Sequence, residues 1–238
     1  MSTSFGKVYL IPSVISENTQ GEVIPLHVKN AIKACDSFLV ENLRTSRRYI
    51  SSLKMGLIIE DLEFEILDKK TTYEACIDLL QPILQGKTIG VLSESGCPGI
   101  ADPGSRLVHM AHQFGITCVP IVGPSSILLA LMASGFNGQS FAFHGYLPID
   151  KKQRQLRIRE LEKESKEKNQ TQIFMDTPYR NEALFNDVIK TTRKDTFLCV
   201  ARDVTGEKEL ILTKSISKWK PDIISLKNIP TIFLLLAN

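Results

Sequence analysis

The segment Thr88-Ile89-Gly90-Val91-Leu92-Ser93-Glu94-Ser95-Gly96-Cys97-Pro98-Gly99-Ile100-Ala101-Asp102-Pro103-Gly104 decides the fold. Its first five residues predict a short buried strand. The loop that follows holds glycines at 96, 99 and 104 and prolines at 98 and 103. It is stiff at the prolines, and bare enough at the glycines for a ligand to approach the backbone. In a parallel α/β sheet, such a loop at the carboxyl end of a strand is where small molecules bind.

Strand and helix patterns alternate on either side of this segment. Strands are predicted over 7–11, 37–40 and 117–122, and helices over 26–35, 45–55, 72–85 and 105–114, where apolar residues recur on one helical face. That alternation implies crossover connections and a mostly parallel sheet. Beyond Gly123-Pro124 and an apolar helix over 125–134, strands are predicted over 141–146, 172–175, 196–201, 209–212 and 231–236. Two of them are spaced as hairpin neighbours around Thr205-Gly206-Glu207, so this second sheet is expected to be mixed. The fold class is therefore α/β, with a parallel domain over 1–122 and a mixed domain over 123–238. Residues 151–168 carry eight Lys or Arg and four Glu and read as a solvated helix or a mobile arm, with a phosphate-backbone contact as the sharper alternative.

Composition narrows the function classes. The 238 residues carry 29 Lys plus Arg against 26 Asp plus Glu, a formal charge of +3, with 43% hydrophobic residues. This describes a globular protein, neither disordered nor polybasic. The apolar runs at 127–133 and 232–237 are far shorter than the roughly 18 residues that cross a bilayer. The start Met1-Ser2-Thr3-Ser4-Phe5-Gly6-Lys7 has no secretory pattern, so a cytoplasmic location without a membrane partner is expected. Five scattered cysteines, none in a Cys-x-x-Cys pair, predict unpaired thiols. His109 and His112 stand i, i+3 on a helix without a third ligand at metal-site spacing, so no metal is expected. A phosphate loop, a Gly-x-Gly-x-x-Gly fingerprint and a Gly-x-Ser-x-Gly elbow are all missing, which favours a nucleoside ligand without a pyrophosphate over hydrolase chemistry.

Two further turns follow predicted strands. Val122-Gly123-Pro124-Ser125-Ser126 places hydroxyls where they cap a helix or meet a ligand. Glu41-Asn42-Leu43-Arg44, with Arg47 and Arg48 beyond it, places a carboxylate and guanidiniums at a strand's carboxyl end. With the 151–168 block, these arginines make RNA a candidate partner.

Together these segments resemble the tetrapyrrole methylase superfamily, and within it the branch that methylates a ribose 2′-oxygen of small-subunit ribosomal RNA. The glycine loop is similar to that branch's Ser-Asp-Ala-Gly-Thr-Pro followed by Asp-Pro-Gly. Gly145-Tyr146-Leu147-Pro148 is similar to Gly-Phe-Leu-Pro, Thr177-Pro178-Tyr179-Arg180 to Ser/Thr-Pro-His-Arg, and Ala201-Arg202-Asp203-Val204-Thr205 to Ala-Arg-Glu-Leu-Thr. The chain departs from the branch at Glu41-Asn42-Leu43-Arg44, where the family has Glu-Asp-Thr-Arg. It also departs at Pro12-Ser13-Val14-Ile15-Ser16-Glu17-Asn18, which lacks the usual glycine, and at Gly206, where a lysine is usual. The chain ends at Asn238, where the ribosomal enzymes commonly continue into a small extension.

The resemblance implies a homodimeric enzyme of two α/β domains with S-adenosylmethionine folded in the cleft between them. It places cofactor contacts at Ser95, Gly96, Cys97, Ile100, Ser125, Ser126, Met175, Ala201 and Arg202, mostly through backbone atoms. Glu41 is the candidate general base, and Arg44 and Arg47 are the candidate phosphate holders. The expected function is 2′-O-methylation of small-subunit rRNA. The alternatives are a methyltransferase for a tetrapyrrole or other small molecule, and a non-catalytic RNA- or ribosome-binding module on the same fold.

Overall fold

The computed structural model describes residues 5–220 and 224–237. Contacts divide the chain into two compact units, which meet in sequence at Ser125 and Ser126. The first unit runs β1 (Lys7–Ile11), α1 (Gln20–Val23), α2 (Leu26–Lys33), β2 (Ser37–Val40), α3 (Leu43–Ser52), β3 (Glu63–Ile66), α4 (Tyr73–Leu84), β4 (Ile89–Leu92), α5 (Gly104–Gln113) and β5 (Thr117–Pro120). Its sheet has the order β3-β2-β4-β1-β5, and every pairing is parallel. β2 and β4 are buried along their whole length, as a sheet covered on both faces requires. Leu39 and Val91 pack on one face with Leu80 and Ile83 of α4 and Met110 of α5. Phe38, Val40 and Leu92 pack on the other with Val28 and Ile32 of α2 and Ile50 of α3. Each such side chain contributes about 1.5 to 3 kcal/mol by leaving water.

The second unit runs α6 (Ser126–Ser134), β6 (Phe141–Tyr146), α7 (Lys151–Lys168), β7 (Thr171–Met175), α8 (Asn181–Thr191), β8 (Phe197–Arg202), β9 (Leu210–Ser215) and β10 (Thr231–Leu236). Its sheet has the order β6-β7-β10-β8-β9, with β6 parallel to β7 and the remaining pairs antiparallel. The core on one face joins Phe174, Val200 and Phe233 to Leu161 of α7 and to Leu184 and Phe185 of α8. On β9, the Thr213 hydroxyl donates to the Ser134 carbonyl at the end of α6, at 2.8 Å.

Residues 151–168 differ from the reading of a solvated helix or mobile arm. Asp150 caps the helix by accepting from the Gln153 N–H at 2.9 Å, and Asn169 closes it in the left-handed region at φ 48°. One stripe, Arg154, Ile158, Leu161, Glu162 and Ser165, is buried. Arg154 pairs with Asp187 of α8 at 2.5 Å, the two side chains being 8% and 5% exposed. Glu162 accepts from the Arg193 N–H at 2.7 Å and the Thr196 hydroxyl at 2.5 Å. The polar members of the stripe are thus paired inside the fold, which is why apolar periodicity alone did not reveal a packed face.

β3 and α8 are additions to the sequence reading, and with β3 counted the glycine loop follows the fourth strand of the unit. Among the described residues no helix is long and apolar enough to cross a membrane, and all five cysteines are free thiols.

Candidate active site

Parallel pairing puts the carboxyl ends of β2, β4, β1 and β5 side by side, so the loops leaving them are neighbours. The glycine loop after β4 is tied to the loop after β1 by the Ser13 N–H, which donates to the Gly96 carbonyl at 2.9 Å. It is tied to the loop after β5 by the Cys97 thiol, which donates to the Pro124 carbonyl at 3.4 Å. Gly96 sits at φ +72°, and a Cβ there would lie 3.1 Å from Ile15 and 3.2 Å from the Pro124 carbonyl. At Gly123 a Cβ would lie 2.2 Å from Pro12. The three loops therefore close on one another at main-chain carbonyls, met by the Ser13 amide and the Cys97 thiol, and a Cβ at either glycine would press on its neighbours. Burial pushes the Cys97 thiol above its ordinary range, so it is held as a packed thiol rather than a nucleophile.

Of the predicted cofactor positions in this unit, Ser95 is exposed, Ile100 is 55% exposed, and Ser125 is half-buried. Ser126, half-buried, opens α6 of the second unit. Met175 and Ala201 lie on β7 and β8, where both are paired with Ile232 of β10, so they flank one residue at one end of that sheet. Arg202 donates to the Ser225 carbonyl at 2.6 Å, while its Nε is buried without a partner. Asp176 Oδ1 accepts from the Thr177 N–H at 2.7 Å and from Arg180 at 2.5 Å, yet Asp176 Oδ2 and the Thr177 hydroxyl are buried without partners. Unpaired buried polar atoms are uncommon in folded proteins and gather where a water or ligand completes them.

The candidate base and the arginines belong to the first unit. Glu41 follows β2, and its side chain is close enough to Asp102 of the glycine loop to share a hydrogen bond with it when one of the two carboxyls is protonated. Burial first, then this hydrogen bond and the negative charges of Asp102 and Glu94, push the Glu41 carboxyl up to about 7, against the opposing pull of Lys69. Asp102 is held by the Gly104 N–H, which donates to its Oδ1 at 3.0 Å. Asn42 caps α3, accepting from the Arg44 and Thr45 N–H groups at 2.9 and 3.2 Å. The Thr45 hydroxyl donates to Glu94 Oε1 at 2.9 Å, tying α3 to the glycine loop.

Arg44 is exposed, and the Arg47 guanidinium lies over the Phe64 ring of β3, 5.3 Å from its centroid. Arg48 faces a cleft of about 240 Å³ whose walls include Thr45, Tyr49 and Glu94. Asp102 and Glu94 carry no assigned role in the sequence reading, and Arg48 appears there only as a member of the basic cluster. The alternation of charge and glycine around Asp102-Pro103-Gly104 was the available signal for the first. Glu94 depends on which elements fold next to each other.

A family model described as tetrapyrrole (corrin/porphyrin) methylases matches residues 21–219. "Ribosomal RNA small subunit methyltransferase I" of Halalkalibacterium halodurans is 30% identical over 184 residues, covering 77% of this chain and 60% of that protein. The protein of the same name from Buchnera aphidicola is 29% identical over 208 residues, covering 87% of this chain and 69% of that one. The chain thus spans about three-fifths to two-thirds of the length of these relatives.

Among solved structures, diphthine synthase has a TM-score of 0.69 at 12% identity, with 97% of this chain and 89% of that one covered. Uroporphyrin-III C-methyl transferase from Thermus thermophilus, complexed with S-adenyl homocysteine, has a TM-score of 0.58 at 14% identity, with 97% of each chain covered. At these identities the likeness is one of fold.

Proposed function

The chain belongs to the tetrapyrrole (corrin/porphyrin) methylase family, and from that premise we propose that it is an S-adenosylmethionine-dependent methyltransferase acting on a ribose 2′-hydroxyl of small-subunit ribosomal RNA. The observation that carries this reading is the half-buried Glu41 carboxyl. It stands on the carboxyl edge of the parallel sheet, paired with Asp102 of the glycine loop. The names of the relatives supply the substrate class.

The residues fit the cofactor in each unit. In the first, Ser95, Gly96, Cys97, Ile100 and Ser125 are assigned to it, mostly through main chain, and the Gly96 bend, where a Cβ would meet Ile15 and the Pro124 carbonyl, holds that main chain in place. In the second, Ser126, Met175, Ala201 and Arg202 are assigned to it. The unpaired Arg202 Nε, Asp176 Oδ2 and Thr177 hydroxyl are a donor and acceptors suited to a ligand with carboxylate, ammonium and ribose groups. When bound, S-adenosylmethionine supplies an activated methyl group on a positively charged sulfur.

The chain's own part is orientation and proton removal. Glu41 takes the proton of the ribose hydroxyl, and a carboxyl that titrates at about 7 has a basicity matched to neutral pH. Asp102 and Glu94 act through Glu41, the first by hydrogen bond and both by charge, and so are positioning residues. Arg44 and Arg47 are assigned to the flanking phosphates. Ribosomal RNA as substrate puts the protein in the cytoplasm. A second copy of the chain is the proposed partner, in keeping with the apolar α6 and its 79% exposed Met132, and sedimentation measures it.

Calorimetry with S-adenosylmethionine, followed by labelled methyl transfer to small ribosomal subunits and to a panel of porphyrinoids, tests this reading. Cofactor binding with transfer to the subunits is expected. Transfer to a porphyrinoid alone would move the chain to tetrapyrrole chemistry, and an absence of cofactor binding would leave a non-catalytic RNA-binding module.

A further inference from the structure

A second cleft of the first unit, of about 270 Å³, opens between the turn after β3 and the start of α5, with Leu67, Lys69, Thr71, Pro103, Ser105 and Arg106 among its walls. Backbone pairing sets it beside Glu41. β3 and β4 are the two neighbours of β2 in the sheet, so the loops that leave them flank the residue that leaves β2. On the β3 side, the Leu67 N–H donates to the Val40 carbonyl at 2.9 Å, immediately before Glu41. On the β4 side, Pro103 directly follows Asp102. Arg106 joins the two flanks by donating to the Thr71 carbonyl.

Charge decides what such a cleft accepts. Its lining holds two cations, Lys69 and Arg106, and one carboxylate, Asp68. The carboxylate is already committed: Asp68 Oδ1 accepts from the Lys70 and Thr71 N–H groups at 2.8 and 3.0 Å and from the Thr71 hydroxyl at 3.2 Å. The cations are not. Arg106 keeps the N–H groups that Thr71 does not use. Lys69 is exposed, and none of the ion pairs among the described residues includes it. Ser105, also exposed, adds a hydroxyl. A phosphodiester carries negative charge and only acceptors, so it can use every one of these donors. The volume, just below the roughly 300 to 1,000 Å³ of clefts that enclose drug-sized molecules, suits a phosphate with part of its sugar. Glu41 and Asp102 stand outside the lining with negative charge, so a phosphate is held there only with both cations in place.

We infer that this cleft is a phosphate site, filled by a phosphodiester of the RNA strand whose ribose is presented to Glu41. Arg44 and Arg47 belong to α3, so Lys69 and Arg106 hold the strand from a different pair of elements. The identity of the strand rests on the methyltransferase reading, but the phosphate contact is measurable without any methyl transfer. Fluorescence anisotropy of the full chain with a short labelled single-stranded RNA, over a series of salt concentrations, counts the phosphates neutralised.

Lys69→Ala and Arg106→Gln are each expected to make the slope of log K against log salt shallower by about 0.7, the share of one phosphate on a single strand, and to weaken binding about fivefold at about 0.1 M salt. The glutamine keeps an N–H for the Thr71 carbonyl, so the turn stays tied. Lys69→Arg, which keeps the charge, should restore the wild-type slope. Lys33→Ala, an exposed lysine at the far end of α2, supplies the baseline for losing a positive charge elsewhere. Slopes for Lys69→Ala and Arg106→Gln equal to that of Lys33→Ala, with circular dichroism unchanged, overturn the inference. Calorimetry with inorganic phosphate is the second arm: binding lost in Lys69→Ala while the RNA slopes stay equal would overturn the RNA strand in favour of a free anion. Slopes that fall as expected, with no methyl group delivered to small subunits by the wild type, would sink the methyltransferase reading while the phosphate site stands.

Discussion

Replacing Asp102 by Asn tests the carboxyl pair without needing the substrate. Asn keeps an oxygen for the Gly104 N–H, which donates to Asp102 Oδ1 at 3.0 Å, but removes the negative charge beside Glu41. In the folded protein Glu41 titrates at about 7 rather than 4.5. A carboxyl whose pKa is raised by folding contributes stability that is fully present below its unfolded value and is lost as pH rises through the folded one. The window is therefore pH 4.5 to about 7.

At about 1.4 kcal/mol per pH unit the full effect would be about 3 kcal/mol. Glu41 is only half-buried, so solvent screening reduces this to about 1 kcal/mol. For a chain of this length that is about 2 to 4 °C in Tm. Urea unfolding of wild type, Asp102→Asn and Glu41→Gln at pH 4 and pH 8 (about 0.5 below and 1 above that window) measures it. The wild type should lose about 1 kcal/mol more than Glu41→Gln on going to the higher pH, with Asp102→Asn between the two. Identical pH slopes for wild type and Glu41→Gln would refute the account of the pair.

Four further outcomes are expected. In methyl transfer, activity should rise with pH through about 7 as Glu41 ionises. Asp102→Asn should move that limb to lower pH, and Glu41→Gln should cut turnover while calorimetry finds the cofactor affinity intact. Asp187→Ala strands Arg154 in the core and should cost about 3 to 5 kcal/mol in chemical unfolding, whereas the Arg154→Met, Asp187→Leu pair should recover most of it. Gly96→Ala forces a Cβ into a left-handed residue packed against Ile15 and Pro124. It should cost about 1 to 2 kcal/mol and weaken S-adenosylmethionine binding in calorimetry. Asn169→Gly relieves the left-handed cap of α7 and should raise stability by up to about 1 kcal/mol in thermal melts, since glycine adopts that conformation freely.

The parallel sheet was legible because β1, β2 and β4 are short apolar runs and the helices between them show one apolar face each. β3 was not, since Glu63-Phe64-Glu65-Ile66 is an edge strand of four residues with charge at alternate positions, a pattern that discourages pairing with other chains and also resembles a loop. α7 was legible as a helix but not as a packed one, because its inward stripe includes Arg154 and Glu162, whose partners Asp187 and Thr196 come later in the chain. Glu41 was legible as a carboxylate following a strand. Its pairing with Asp102 was not, because it depends on β2 and β4 being neighbours in the sheet, which adjacency in sequence does not encode.

The meeting of three bends largely at backbone groups, with Gly96 and Gly123 pressed against Pro124 and Pro12, has an evolutionary corollary. A contour drawn largely in peptide units is indifferent to most letters written along it, and at residue 97, where the thiol donates to the Pro124 carbonyl, a hydroxyl can take its place while the outline persists. Mutational drift is then filtered at the few places where the chain must turn. Descendants of one ancestral scaffold can diverge almost beyond recognition in wording and still keep that outline.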